Sequence, residues 1–135
     1  MVRDLIKKHE GLRLHVYTDT TGNATIGYGH KLSDRIPIVD ITQEQAEDWL
    51  TEDIATAIAG CKKLYPTFDS FTQNRKDALI DFVFNVGFGT ALKFIQMRGA
   101  ILIGDWNKVA ENMIDSLWYK QTPNRHDLIP MIREG

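Results

Sequence analysis

HEGLRLHVYTDTTGNATIGYGH, residues 9–30, changes its apolar period within one short stretch. It closes a short helix over Val2 to Glu10, in which Val2, Leu5, Ile6 and His9 recur at 3–4 spacing. Gly11 stands where a left-handed C-terminal cap would sit. The period then becomes two: Leu12, Leu14 and Val16 alternate with Arg13, His15 and Tyr17, the pattern of a half-buried strand. Asp19-Thr20-Thr21-Gly22-Asn23 has turn chemistry, and Ala24 to His30 is a second strand whose glycines permit close backbone approach. The segment therefore predicts a helix followed by a β-hairpin.

Downstream the periodicity is helical. After a loop through Ser33, Pro37 and Asp40, Thr42-Gln43-Glu44-Gln45 matches a capping box. The helix behind it carries Ala46, Trp49, Leu50, Ile54, Ala57 and Ile58 on one stripe, with Asp53 on the same stripe. Thr72 can cap a helix holding Leu79, Phe82, Val83 and Val86, which Gly87-Phe88-Gly89 ends. Further helices are expected over about 90–102, over about 105–117 with Asp105 as cap, and after Thr122-Pro123. This reading gives one α+β, mostly helical unit of two lobes. A small lobe covers about 11–41, a connecting helix about 42–59, and a helical lobe about 60–135, against which the helix over 2–10 packs. A ligand cleft is expected between the lobes.

Composition narrows the classes without naming a function. The 135 residues are 43% hydrophobic and 25% charged, those of an ordinary globular domain. The net charge is −2, with 6 Lys/Arg against 10 Asp/Glu in residues 1–60 and 10 against 8 in residues 61–135. Neither half has the clustered basic face of a nucleic-acid binder. No apolar run approaches the roughly 20 residues of a membrane span, and MVRDLIKKHEG lacks the apolar stretch expected of a signal peptide. The single Cys61 cannot form an internal disulfide or a multi-cysteine metal site. No metal or cofactor is expected.

Glu10, Asp19 and Thr25 carry the chemistry that this arrangement suggests. Glu10 ends a helix, where the dipole and partial burial disfavour negative charge and suit a proton donor. Asp19 lies in a polar turn that keeps a carboxylate ionised, and the Thr25 hydroxyl can hold a water beside it. Two carboxyls in unlike settings beside a cleft are the minimum apparatus of glycoside hydrolysis. Spacing alone leaves the alternative of a solvated helix-end glutamate and an ordinary turn aspartate, since 18 acidic residues in 135 make such pairs common.

The same segment resembles the catalytic signature of the phage-type lysozymes (endolysins) of glycoside hydrolase family 24, written E-x8-D-x5-T followed by I-G-x-G-H. ALIDFVFNVGFG at 78–89, GDWNKVAEN at 104–112 and DSLWYKQTPNR at 115–125 resemble later parts of that family, in its order. The resemblance implies a lysozyme-like two-lobed fold and a muramidase acting on bacterial peptidoglycan, at the β-1,4 bond between N-acetylmuramic acid and N-acetylglucosamine. It implies Glu10 as acid, Asp19 as base, and Thr25 with Asp19 positioning a water, with inversion. Phe84 and Asn112 match substrate-contacting positions, although a helical phenylalanine is as readily core. His30 and Asp53 match an ion pair, which would answer the cost of a carboxylate on an apolar stripe. Arg125 matches an arginine held near the catalytic glutamate, whose charge would oppose the helix-end effect.

Other expectations follow. The three tryptophans read mainly as core, and Lys7-Lys8 and Lys62-Lys63 as solvated surface. Lys31 stands where the family commonly has an apolar residue, and the linker over 31–41 is short. Pro130 is expected to kink or end the terminal helix, and the chain end at Gly135 to be loosely held. A monomer is expected, folding in the host bacterial cytoplasm and reaching the wall after release. Two other readings are a lytic transglycosylase on the same bond, which needs no water-positioning aspartate, and a non-catalytic wall-binding module.

Overall fold

The computed structural model describes residues 2–18, 24–32 and 40–135. Asp19, the turn through Asn23 and the loop containing Ser33 and Pro37 lie outside the described residues. The first helix, α1 (Val2–Glu10), ends where expected, and Gly11 takes the left-handed conformation at φ 67°. Strand β1 (Arg13–Thr18) pairs antiparallel with β2 (Ala24–Gly27), bringing Tyr17 opposite Thr25. The second strand does not run on to His30 as the sequence suggested. Gly27 and Gly29, both at positive φ, reverse the chain, and His30–Lys31 returns as β3 beside β2. The hairpin is thus a three-stranded antiparallel sheet, ordered β1-β2-β3.

The helix α2 (Gln43–Leu64) begins with the anticipated capping box between Thr42 and Gln45. It outruns its expected end by five residues, because its apolar stripe continues through Gly60, Cys61 and Leu64 while Lys62 and Lys63 face outward. Pro66 then forces Tyr65 into an extended conformation and stops it. At 22 residues it is about 33 Å long, enough to reach from the sheet to the far helices. Burial pushes the Cys61 thiol up to about 12, so the lone cysteine is inert packing.

The remaining helices build the main core. Thr72 caps α3 (Gln73–Val86), which packs against α1, α2 and the C-terminal helix. The helix expected over 90–102 is two, α4 (Phe88–Lys93) and α5 (Ile95–Leu102). They break at Phe94, whose ring sits edge-on to Phe82 with centroids 5.1 Å apart. Asp105 caps α6 (Trp106–Ile114) as read, but Ser116 caps a separate short helix, α7 (Leu117–Gln121). A 3-10 turn at Pro123–Arg125 leads to α8 (Leu128–Glu134).

Pro130 neither kinks nor ends α8. It is the third residue of that helix, where a backbone N–H has no intrahelical acceptor to lose. The chain end is not loose either: Ile132 is fully buried, and Arg75 donates to the carbonyls of Ile132 at 2.8 Å and Arg133 at 2.9 Å. Trp118 is buried in the core; Trp49 and Trp106 pack partly buried against it. Among the described residues no helix is long and apolar enough to cross a membrane, and no group of three or more His, Cys, Asp or Glu could hold a metal ion.

Candidate active site

The end of α1 delivers two adjacent side chains to the same region, His9 and Glu10. The helix is fixed on its other side by Lys7 and Arg3, which reach Glu47 of α2 at 2.7 and 2.8 Å and help hold that carboxyl down to about 2. Glu10 is 10% exposed at its side chain, and Arg125 Nη2 donates to its Oε1 at 2.7 Å. The expected arginine is therefore in contact with the glutamate. The same guanidinium donates through Nε to Asp81 Oδ1 at 2.7 Å, so its charge is shared between two carboxylates. Burial works against the Arg125 charge, but Asp81 and then Glu10 outweigh it and its proton is held more tightly than usual.

Gly29 closes the other side of Glu10. It sits at φ 71°, and a Cβ added there would land on the Glu10 carboxylate. The turn between β2 and β3 thus lies against the carboxyl group. Gly29, His30 and Lys31 also line one wall of a hollow whose opposite walls are Asp53 of α2 and Phe84 of α3. Phe84 is only partly buried, so it is neither plain core nor free surface.

Asn112 lies farther off. It lines a second hollow with Thr90, Phe94 and Met97, and its Nδ2 is buried without a hydrogen-bond partner among the described residues. A third hollow shares Lys31 with the first and Thr90 and Phe94 with the second. The third hollow thus neighbours both of the others. The Lys31 ammonium reaches the carbonyl of Asn85, and Trp118 Nε1 donates to Asn85 Oδ1 at 2.9 Å. Lys31, expected to alter one wall, does so by linking the sheet to α3.

His30 and Asp53 meet as anticipated: the Nδ1 of His30 lies 2.7 Å from Asp53 Oδ2, each side chain 29% exposed. The hydrogen bond to Asp53 raises the His30 pKa, against the opposing effect of burial. A raised folded value means that the stabilisation is full below the ordinary histidine range and is lost as pH rises through the folded value. Asp53→Asn should therefore cost about 2 kcal/mol near pH 5.5 and well under half of that near pH 9. Urea unfolding of both proteins at the two pH values measures this, and an equal cost at both would refute it.

Thr25 is buried in β2 between its partners Tyr17 and Lys31. Asp19 lies outside the described residues. Three residues to which the sequence reading gave no role, His9, Asp81 and Asp127, also meet here. His9 is buried with Nδ1 2.7 Å from Asp81 Oδ2 and Nε2 2.8 Å from Asp127 Oδ1. The signal for Asp81 was present: a carboxylate between Ala78, Leu79, Phe82 and Val83 is the same anomaly that singled out Asp53.

The phage lysozyme family model matches residues 7–129. This chain belongs to the phage lysozyme family. It is 39% identical over 89% of its length to an endolysin of Acyrthosiphon pisum secondary endosymbiont phage 1, covering 78% of that protein. It is 33% identical over 96% of its length to the pre-baseplate central spike protein Gp5 of Enterobacteria phage T4, and 46% identical over 64% of its length to an endolysin of Bacillus phage PZA. The chain spans 27% of the spike protein and 33% of the PZA endolysin. The match runs from the end of α1 into α8, so Glu10, Arg125, His30, Asp53 and the three hollows all lie within the family's extent.

Proposed function

We propose that this phage lysozyme family member hydrolyses the glycan of bacterial peptidoglycan, at the β-1,4 bond between N-acetylmuramic acid and N-acetylglucosamine. The observation that carries the reading is Glu10. It is a nearly buried carboxyl at a helix end, held at Oε1 by Arg125 and backed by Gly29, which itself lines the hollow beside Asp53 and Phe84. In this reading Glu10 protonates the leaving glycosidic oxygen. Asp19 is the base, and with Thr25 it directs a water to the opposite face of the sugar, giving inversion.

Three neighbouring hollows that share lining residues, rather than one closed pocket, support a polymeric substrate. Phe84 offers a partly buried ring in one of them. Asn112 lines another, and its buried Nδ2 has no hydrogen-bond acceptor among the described residues. The protein acts as a monomer on the wall after release from the cytoplasm of the host bacterium. The divisions at about 11–41, 42–59 and 60–135 serve as its two lobes and their connector, the connector now reaching Leu64.

Purified protein added to outer-membrane-permeabilised bacteria should clear their turbidity, and failure to release any glycan fragment from isolated walls would refute the assignment. The contact between Gly29 and Glu10 gives a sharper expectation. Gly29→Ala should lower cleavage by about 10²-fold, because displacing an acid by an ångström misaligns the transfer. Its strain should cost only about 1–2 kcal/mol of stability. Gly11→Ala is the control: it carries the same kind of strain at φ 67° but meets nothing within 4 Å. Equal activity losses in the two variants would overturn this role for the turn.

A further inference from the structure

We infer that His9 is a positioning residue for Glu10, acting through the chain Asp127–His9–Asp81–Arg125–Glu10, so that the strength of Glu10 as an acid depends on the positive charge of His9. The inference rests on reading Glu10 as the proton donor. Three parts of the fold meet in this chain: α1 supplies His9 and Glu10, α3 supplies Asp81, and the approach to α8 supplies Arg125 and Asp127. Successive contacts are 2.8, 2.7, 2.7 and 2.7 Å, and the side chains of His9, Asp81 and Arg125 are 1%, 0% and 3% exposed.

Geometry sets the protonation state of His9. Both ring nitrogens face carboxylates, and a neutral imidazole has one N–H, so it would aim a lone pair at one of them. Only the imidazolium donates to both. Burial opposes that charge, but Asp81 and then Asp127 outweigh it, and the His9 pKa is raised. The charged groups facing His9 are Asp81 from α3, Arg125 behind it, Asp127 beyond α7, and Lys8, which reaches Asp127 at 3.1 Å. Arg3 and Lys7 are engaged by Glu47 on the α2 side of the helix. The His9 carbonyl accepts from Asn124 Nδ2 at 2.6 Å, which fixes the helix end itself.

The charge count shows what the chain favours. Asp127 stands at the rim, 35% exposed and paired with Lys8 at 3.1 Å, so the balance concerns the four inner groups: His9 and Arg125 carry two positive charges; Asp81 and ionised Glu10 carry two negative ones. The buried set is therefore balanced in the state that follows proton donation by Glu10, and the arrangement stabilises the carboxylate that this step produces. Without the His9 charge, Asp81 draws on Arg125 alone and an uncompensated negative charge stands beside Glu10, which then binds its proton more tightly and gives it up less readily.

His9→Gln should lower the cleavage rate near pH 6 about tenfold, a part of what general acid catalysis supplies. The alkaline limb of its pH–rate profile should move to higher pH. His9→Gln combined with Asp81→Asn leaves Arg125 and Glu10 as a balanced pair and should bring the limb back toward that of the wild type. A packing role alone predicts an unmoved limb and a double variant at least as impaired as the single one, and that result would overturn the inference. Two measurements need no substrate. The ¹⁵N shifts of wild-type His9 should show a doubly protonated ring at pH 7.5, and a neutral ring there would refute the chain. The ¹³C shift of the Glu10 carboxyl should titrate at higher pH in His9→Gln than in wild type, and coincident curves would refute the coupling even if no glycan were cleaved.

Discussion

Glu10→Gln should lose at least about 10³-fold in glycan cleavage while remaining folded, the largest functional effect expected of any single substitution here. An amide has the shape of the carboxyl but cannot deliver a proton to a leaving oxygen. Its carbonyl can still accept from Arg125 Nη2, and Asp81 still holds Arg125 Nε, so the surrounding contacts persist. Stability should change by only about 1 kcal/mol. Turbidity assays paired with circular dichroism separate the two quantities. Full activity in a folded Glu10→Gln protein would remove Glu10 from the chemistry.

Arg125→Met should produce the largest loss of stability. Arg125 is 3% exposed and is the cation on which Asp81 and Glu10 converge. Removing one partner of a buried charged set leaves the others uncompensated, at a cost of about 3–5 kcal/mol. In a domain of this size that corresponds to a fall of roughly 10–15 °C in Tm. Adding Asp81→Asn should recover part of it, because His9 then keeps Asp127 and one buried negative charge is gone. Thermal melts at neutral pH read this directly; a fall of less than about 2 °C in the single variant would mean that the network contributes little to stability.

The sequence made some of these contacts legible and hid others for physical reasons. Asp53 was conspicuous because a carboxylate broke an apolar stripe, and its partner His30 lay only 23 positions away on the neighbouring strand. Arg125 could be assigned to Glu10 through the family resemblance, since their separation of 115 positions carries no local signal. His9 was misleading: it falls on the apolar period of α1 and is buried like Ile6, yet its role is set by Asp81 and Asp127, 72 and 118 positions along the chain. Imidazole burial fits the helical pattern whether or not the ring is charged.

Helix ends divided along the same line. Local chemistry set the caps at Thr42, Thr72 and Asp105, where a side-chain oxygen accepts from a nearby backbone N–H, and these were readable. The break at Phe94 has no proline or glycine to announce it and depends on the ring packing against Phe82, a contact made only in the folded chain. The third strand was concealed because Ala24 to His30 reads as continuous extended chain until Gly27 and Gly29 take positive φ. Pro130 misled in the opposite sense: its effect depends on its position within the helix, and α8 starts late enough to place it in the first turn.

The central claim, that Glu10 serves hydrolysis at the glycan, is tested most directly by the products. Isolated peptidoglycan digested with the wild-type protein and analysed by mass spectrometry should yield muropeptides with new reducing N-acetylmuramic acid ends, and the Glu10→Gln digest should yield none. Anhydro-muramyl ends in the wild-type digest, or no new glycan ends at all, would contradict it.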